Sequence, residues 1–167
     1  MKIAIHSLSL EDPRTISAAF AAIGWSKSPK QFERYLAEQS TGTRLVRVAS
    51  VDDRFVGYVT VLVDSEYPFF KRENIPEISD LNVLPDFRKM GIATRLLDEC
   101  ETWIASRSPM AGIGVGLHPG YNAAQRLYVK RGFVPDGRGV TTHGRNVEEG
   151  ESVPFDDDLV LWMIKTL

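Results

Sequence analysis

Apolar and polar positions along the chain repeat with two periods, one typical of strands and one typical of helices. Ile3 and Ile5 alternate with polar neighbours near the start of the chain, as in a half-buried strand. Residues 91–107 instead place apolar side chains three and four positions apart, as in a helix with one buried face. Strands are predicted at 2–9, 44–51, 54–64, 77–84, 111–118, from 133 onward and at 159–167, and helices at 12–25, 28–42, 91–107 and 122–132. Residues 65–76 are expected to be a loop, and residues 137–158 are polar and rich in turn formers.

The order of these elements predicts an α/β fold with a mixed sheet. A short turn at residues 52–53 joins two strands and indicates an antiparallel hairpin. The later strand–helix–strand units require parallel pairing. We therefore expect a central mixed sheet of six to seven strands, flanked by about four helices. No linker or repeat divides the sequence, so residues 1–167 are predicted to form a single domain.

Composition and charge exclude several classes of function. The chain has 167 residues, is 43% hydrophobic and carries a formal net charge of −2, so nothing global favours nucleic acid as a partner. No apolar run reaches the roughly 18 residues that span a bilayer, and no signal peptide is recognisable, so we expect a cytoplasmic protein without a membrane partner. Cys100 is the single cysteine, and the three histidines are far apart, so no metal site is expected.

The segment "PDFRKMGIAT" (85–94) precedes the longest predicted helix and leaves the start of that helix ambiguous. Asp86 could cap a helix that begins at Phe87 and contains Gly91, at a cost of about 1 kcal/mol for the internal glycine. The alternative helix begins near Gly91, and its first N–H groups have no side-chain cap. Those N–H groups and the positive end of the helix dipole would form a phosphate cradle, with two basic residues beside it. The segment alone leaves both alternatives open.

A second feature is the glycine-rich strand "AGIGVGLH". Gly112, Gly114 and Gly116 alternate, so all three lie on one face of the strand and leave it without side chains. Close packing of a neighbouring element is the favoured explanation, and room for a ligand chain is the alternative. The spacing does not match the G-x-G-x-x-G dinucleotide motif.

Two motifs at the expected separation resemble the GNAT superfamily of acyl-CoA-dependent N-acyltransferases. The patterns are V-x-P-x-x-[RQ]-x-x-G-x-[GA] and N-x-x-A-x-x-[LF]-Y-x-x-x-G-F. The chain supplies Val83, Pro85, Arg88, Gly91 and Ala93 for the first, and Asn122, Leu127, Tyr128, Gly132 and Phe133 for the second. One position departs from the pattern, because Gln125 stands where alanine is expected, with two alanines just before it. The resemblance covers residues 77–134 and implies a GNAT-like fold.

The resemblance also implies a set of acetyl-CoA-binding residues. The CoA pyrophosphate would lie on backbone N–H groups of the turn, and the pantetheine arm would pair with the preceding strand. The N–H of Val83 would donate to the thioester oxygen, and Asn122 would contact the pantetheine. The implied cofactor-binding residues are Leu81, Asn82, Val83, Arg88, Lys89, Met90, Gly91, Ile92, Ala93, Thr94 and Asn122.

Three further residues are implied to take part in the reaction. Tyr128 would protonate the departing CoA thiolate, although a helix tyrosine packed on the sheet is the alternative. Free alkyl amines are mostly protonated at pH 7, so a base or a water relay is needed. Glu77 occupies the position of the base in the histone-acetylating members. Asp80 is expected on the other face of the strand as an amine-binding or structural residue, unless a bulge shifts the alternation.

The resulting prediction is a cytoplasmic N-acetyltransferase that transfers an acetyl group from acetyl-CoA to a primary amine of a small molecule by direct attack in a ternary complex. A protein or peptide acceptor, or a non-catalytic acyl-CoA-binding regulatory protein on the same scaffold, are the alternatives. A homodimer is possible. The acidic stretch at 148–158 could attract a cationic amine, with Trp25, Tyr67, Phe69 and Phe70 as candidate pocket walls.

Overall fold

A computed structural model describes all 167 residues and contains eight strands and five α-helices. The strands are β1 (Ile3–Ser7), β2 (Arg44–Val51), β3 (Arg54–Leu62), β4 (Glu77–Val83), β5 (Met110–Gly116), β6 (Val134–Thr142), β7 (Arg145–Asn146) and β8 (Leu159–Thr166). The helices are α1 (Asp12–Ala21), α2 (Pro29–Ser40), α3 (Pro68–Glu73), α4 (Ile92–Ala105) and α5 (Asn122–Lys130). One-turn 3-10 helices lie at Pro85–Phe87 and Pro119–Tyr121. None of the helices has the length and apolarity that crossing a membrane requires.

The α/β prediction is confirmed, with more elements than expected. The strand count exceeds the expected six to seven because the polar segment after residue 137 contains the short strand β7. The same segment also extends β6 to Thr142. The extra helix is α3, which lies in the segment predicted to be a loop. Six residues are too few for a helical period to stand out in the sequence. The chain forms two compact units, residues 1–63 with 78–103 and residues 64–77 with 104–167.

The first unit contains the strand order β1-β2-β3-β4 together with α1, α2 and α4. The β1/β2 and β2/β3 pairs are antiparallel, and the second pair confirms the hairpin predicted at residues 52–53. Pro29 opens α2 after Ser28, whose hydroxyl accepts a 3.3 Å hydrogen bond from the Lys30 N–H. The core joins the apolar faces of α1 and α2 to β2 and β3, through Ile16, Phe20, Phe32, Val46, Val48 and Tyr58.

The second unit contains the strand order β5-β8-β6-β7 together with α3 and α5. Strand β8 pairs antiparallel with β5 on one side and with β6 on the other. Strands β5 and β6 therefore run in the same direction, as their connection through α5 predicts, but β8 lies between them. Aromatic side chains dominate the core cluster next to α3, where the Tyr67 ring stacks on Trp162 with centroids 4.4 Å apart.

Aromatic rings occupy the bare glycine face of β5. A Cβ on Gly112 would stand 2.3 Å from the Phe70 ring, and a Cβ on Gly116 would stand 2.3 Å from the Tyr121 ring. At Gly114 the nearest atoms belong to side chains of β8, at 2.9 Å. The close-packing explanation of the three glycines is therefore confirmed.

Candidate functional site

The structure of the turn between β4 and α4 shows where the long helix begins. Residues 85–87 form an isolated 3-10 turn, and α4 starts only at Ile92. A helix capped by Asp86 and starting at Phe87 is therefore wrong. Gly91 has φ +78°, in the left-handed region that glycine enters without strain, and its carbonyl accepts the helical hydrogen bond from Arg95 at 3.1 Å. No heavy atom lies within 4 Å of an ideal Cβ on Gly91, so the space next to it is open.

The flanks of this turn are anchored while the turn itself is exposed. Ile92 is buried, which fixes the first residue of the helix, whereas Lys89, Met90, Gly91 and Thr94 are exposed. Lys89 also has positive φ, at +62°. The Arg88 side chain reaches back to β4, where its Nε donates to the Val83 carbonyl at 3.3 Å.

Strand β4 changes direction at Asp80, which has φ +52°. Burial does not alternate along this strand: Glu77 and Ile78 are both buried, and residues 79–83 are all partly buried. After this point the strand lies tightly against β3, because a Cβ on Gly57 would stand 2.6 Å from the Asn82 carbonyl oxygen. The Leu84 N–H donates to the Val56 carbonyl at 2.9 Å. The positive φ of Asp80 interrupts regular strand geometry within β4.

The carboxylate of Asp80 accepts hydrogen bonds from several side chains of the first unit. Oδ2 accepts from the hydroxyls of Tyr58 at 2.6 Å and Tyr35 at 3.0 Å. The side-chain amides of Gln31 and Asn82 donate to the same carboxylate at 2.9 and 2.8 Å. Burial and the nearby Asp80 charge raise the pKa of Tyr58 and of Tyr35, so both hydroxyls keep their protons at neutral pH.

A lysine ammonium completes the surroundings of Asp80. Lys27 Nζ lies 3.3 Å from Asp80 Oδ1 and 5.4 Å from the ring centroids of Phe20 and Tyr58. Two aromatic faces and a carboxylate together form a favourable site for a cation. The chain's own ammonium fills it, so an acceptor amine would have to displace Lys27 to reach Asp80.

Glu77 lies at the start of β4 and has a different set of partners. Its side chain is 8% exposed, and Oε2 accepts a 2.5 Å hydrogen bond from the Ser65 hydroxyl. The Ser65 hydroxyl oxygen in turn accepts from the Tyr67 N–H at 3.1 Å. Glu77 is therefore held in place through Ser65 by the segment that leads into α3.

Tyr128 is buried on α5, with 6% of its surface exposed. Its ring lies 6.1 Å from that of Phe133, and its carbonyl accepts the Phe133 N–H at 3.0 Å after the helix ends. Burial, with a smaller contribution from Tyr121, raises the pKa of Tyr128. The phenol therefore carries a proton at neutral pH. Asn122, the other residue predicted on this helix, is its first residue and is exposed.

A polar cluster at the end of β5 was not anticipated from the sequence. His118 Nδ1 accepts from the Gly120 N–H at 3.1 Å, so Nε2 carries the proton that faces Asp157 Oδ1 at 2.6 Å. The Tyr121 hydroxyl donates to the same oxygen at 3.1 Å. These two donors hold the pKa of the Asp157 carboxyl below its usual value. His118 thus caps the 3-10 turn at Pro119–Tyr121, and nothing local in the sequence points to its partner 39 residues later.

A pocket in the second unit is lined by aromatic and basic side chains. Its volume is about 360 Å³, and its lining residues are Tyr67, Pro68, Phe69, Arg72, Arg138 and Asn146. Two of the four aromatic residues proposed as pocket walls, Tyr67 and Phe69, therefore line a pocket. Phe70 is fully buried instead, and Trp25 belongs to the first unit, where it stacks on Phe20.

Carboxylates of the acidic stretch at 148–158 have partners within the chain. Glu151 pairs with Arg145, which lowers the pKa of that carboxyl to about 2. Asp157 accepts from His118, and Asp158 Oδ2 lies 3.4 Å from His143 Nδ1. No group of three or more His, Cys, Asp or Glu side chains is placed to hold a metal ion.

The candidate site thus combines an irregular strand, β4, with a glycine turn at Gly91 and the helix α4 that follows it. The model of the acetyltransferase (GNAT) family matches residues 5–133. The chain belongs to this family and is an acyltransferase. A search of curated protein sequences finds no significant match.

Solved structures with the same fold include enzymes with different kinds of acceptor. An acetyltransferase of the GNAT family from Streptococcus pneumoniae is 19% identical, with a TM-score of 0.71 over 99% of this chain and 100% of that one. A ribosomal-protein-alanine N-acetyltransferase from Brucella melitensis is 19% identical, with a TM-score of 0.71 over 98% and 99%. An aminoglycoside 6'-N-acetyltransferase in complex with coenzyme A is 18% identical, with a TM-score of 0.69 over 99% and 97%.

Proposed function

We propose that the protein transfers an acetyl group from acetyl-CoA to a primary amine of a small molecule, by direct attack within a ternary complex. The observation that carries this proposal is the turn before α4, where an open, left-handed Gly91 leads into a helix that begins at the buried Ile92. A helix start of this kind presents N–H groups at the positive end of a helix dipole, which suits a pyrophosphate.

In this proposal the CoA pyrophosphate binds to residues 88–94 and the pantetheine arm pairs with residues 81–83. Leu81, Asn82 and Val83 follow the irregular residue Asp80 and are only partly buried, which supports a strand segment that a ligand can reach. The exposed Asn122 would contact the pantetheine arm.

The reaction begins when the amine nitrogen attacks the thioester carbonyl carbon and the carbonyl becomes an oxyanion. The Val83 N–H donates to that oxygen. The carbon–sulfur bond then breaks, and the CoA thiolate takes the proton from the Tyr128 hydroxyl. Burial raises the pKa of Tyr128, so the phenol carries at neutral pH the proton that a general acid must hold.

The amine must lose a proton for this attack, and we assign that proton to Glu77, directly or through a water. The carboxylate of Glu77 is fixed by the Ser65 hydroxyl at 2.5 Å, as a base that must hold one position requires. Asp80 is the less suitable base, since four neutral side chains and Lys27 already bind its carboxylate. We propose that Asp80 stabilises the kink of β4; binding of the acceptor amine at Asp80 would require Lys27 to leave.

The test measures thiol release from acetyl-CoA over a panel of small amines and of peptides with free N-termini, with acetyl-CoA binding measured alongside. Turnover of small amines that exceeds turnover of peptides supports the proposal. Turnover of peptides alone points to a protein acceptor, the activity named for the Brucella melitensis structure. Binding without turnover of any acceptor points to a non-catalytic acyl-CoA-binding protein.

A further inference from the structure

The pocket lined by Arg138 and Arg72 is built by an irregularity in β6. Pro135 pairs with Met163 of β8 and Val140 with Leu161, so residues 136–139 lie opposite the single residue 162. Gly137 and Gly139 have φ +80° and +75°, which lets the strand fold out of the ladder and return. The excursion brings Arg138 over α3.

Hydrogen bonds fix this excursion against α3. The Asp136 carboxylate accepts from the Tyr67 hydroxyl at 2.6 Å and from the Arg138 N–H at 2.9 Å. The Arg138 guanidinium lies 3.4 Å from the centroid of the Phe69 ring, a stacked cation–π arrangement. Its Nη1 donates to the Asp136 carbonyl at 3.1 Å, a neutral backbone acceptor. The Phe69 ring and the Asp136 backbone carbonyl therefore hold the Arg138 guanidinium in position.

The chemistry of the lining favours an anion. Two guanidinium groups and the Asn146 amide line the pocket, and aromatic and proline side chains supply its walls. A guanidinium presents paired N–H donors that match the two oxygens of a carboxylate. Of the two acids nearby, Glu73 pairs with Arg72 Nε at 2.8 Å, whereas the Asp136 carboxylate accepts from the Tyr67 hydroxyl and the Arg138 N–H. Arg138 is therefore the more available cation of the lining.

Hydrogen bonds connect Tyr67, which lines the pocket, to Glu77, the proposed base. The Tyr67 N–H donates to the Ser65 hydroxyl, which donates to Glu77. An acceptor held in the pocket by an acidic group would therefore lie close to the segment that positions Glu77. A volume of about 360 Å³ is within the range of small-molecule sites.

We propose, on the basis of the proposed function, that this pocket binds the carboxylate of the acceptor, so that the acceptors are amines of amino-acid size that carry a carboxylate. Arg138 provides the main contact, and Arg72, which is paired with Glu73, offers its remaining N–H donors. Tyr67 and Phe69 pack against the carbon chain between the carboxylate and the amine.

The experiment compares α- and ω-amino acids with their matching carboxamides, which differ only in the charge of the acidic group. The wild type is expected to prefer the acids in kcat/KM. Arg138→Gln keeps side-chain length and an amide but removes the charge, and should lower kcat/KM for the acids about ten- to a hundredfold, the range of a charge-assisted hydrogen bond. Most of this change should appear in KM for the acceptor, while kcat/KM for the carboxamides and KM for acetyl-CoA stay within about twofold, since only the carboxylate contact is lost.

Arg145→Gln is the matched control, because Arg145 lies on the neighbouring β7 but pairs with Glu151 and does not line the pocket. This variant should retain the preference for acids. A second measurement, calorimetric binding of N-acetylated amino acids to wild type and Arg138→Gln, reports the contact without turnover.

Equal turnover of acids and carboxamides, or an equal loss for both in Arg138→Gln, would overturn this inference and leave the acetyltransferase proposal intact. Failure of the proposed function gives a different result, since no amine of either kind would then release thiol. A preference for phosphorylated amines over carboxylates would also overturn the choice of carboxylate.

Discussion

The Tyr58 hydroxyl donates a 2.6 Å hydrogen bond to the carboxylate of Asp80, at the residue where β4 leaves regular strand geometry. The bond joins the centre of β3 to the kink of β4. Because Asp80 has a positive φ that most residues avoid, the hydrogen bonds to its side chain help hold a backbone conformation that the chain would otherwise leave.

Asp80→Ala is expected to destabilise the fold strongly. Several donors lose their acceptor, Lys27 loses its counter-ion, and alanine is strained at φ +52°. We expect the free energy of unfolding to fall by about 3 kcal/mol, measured by urea denaturation. Asp86→Ala removes an exposed carboxylate from the nearby 3-10 turn and should change stability by no more than about 0.5 kcal/mol. Equal effects of the two substitutions would contradict the structural role of Asp80.

Tyr128→Phe should lower kcat by about a hundredfold or more, the usual contribution of a general acid. The ring stays in place, so KM for acetyl-CoA should change less than threefold by the same reasoning. Because burial raises the pKa of Tyr128, its ionisation should not reduce the wild-type rate at any pH below about 10, the unperturbed value. A steady-state pH profile of both enzymes checks this, and an unchanged kcat in the variant would rule out the role.

Glu77→Gln should abolish the acidic limb of the kcat/KM profile, since glutamine cannot accept the amine proton. Ser65→Ala removes the hydroxyl that hydrogen-bonds the Glu77 carboxylate and favours its charged form. The acidic limb should therefore move to higher pH in this variant. If Glu77→Gln keeps the limb and Asp80→Asn loses it, the base is Asp80.

Gly112→Ala is expected to disturb the packing of β5. The new methyl would stand 2.3 Å from the fully buried Phe70 ring, so the ring must move. Overpacking of this kind destabilises by about 1–3 kcal/mol, which a thermal melt detects. The double variant with Phe70→Leu should recover part of the loss, because leucine leaves the methyl more room; no recovery would argue against the ring as the obstacle.

The fold should lose stability above pH 10, and Tyr58 should contribute to this loss. Burial, with Asp80 second, raises the pKa of Tyr58 in the folded state above its unfolded value of 10.0. The stabilisation is thus complete below pH 10 and is lost as the pH rises toward the folded value, at about 1.4 kcal/mol per pH unit. Urea denaturation between pH 9 and 11 should show a steeper decline for the wild type than for Tyr58→Phe. Parallel declines would assign the effect to other groups.

The start of α4 could be predicted because local signals narrowed it to two alternatives and the second motif favoured one of them. A proline, two basic residues, a glycine and an apolar stripe follow one another within residues 85–97, and the second motif supports the helix start at Gly91 rather than at Phe87. The glycine face of β5 was also predictable, since alternation alone places the three glycines together. Which rings would cover that face was not predictable, because Phe70 and Tyr121 come from separate segments.

The features that could not be predicted from the sequence depend on contacts between residues far apart along the chain. Asp80 takes a left-handed conformation in which it meets Tyr58, Tyr35 and Gln31, between 22 and 49 residues away. The excursion of β6 at residues 136–139 depends on Tyr67, 69 residues from Asp136. Glycines at 137 and 139 indicated a turn, but no local pattern shows that the strand resumes after it.

The placement of β8 between β5 and β6 has a consequence for synthesis on the ribosome. Residues 159–166 are made after both neighbours, so β5 and β6 emerge with their pairing edges open and meet their partner only when β8 follows. Open strand edges readily pair with other chains. Nascent chains stalled before residue 159 should therefore be protease-sensitive and prone to aggregate, while chains that include β8 complete the second unit in one late step.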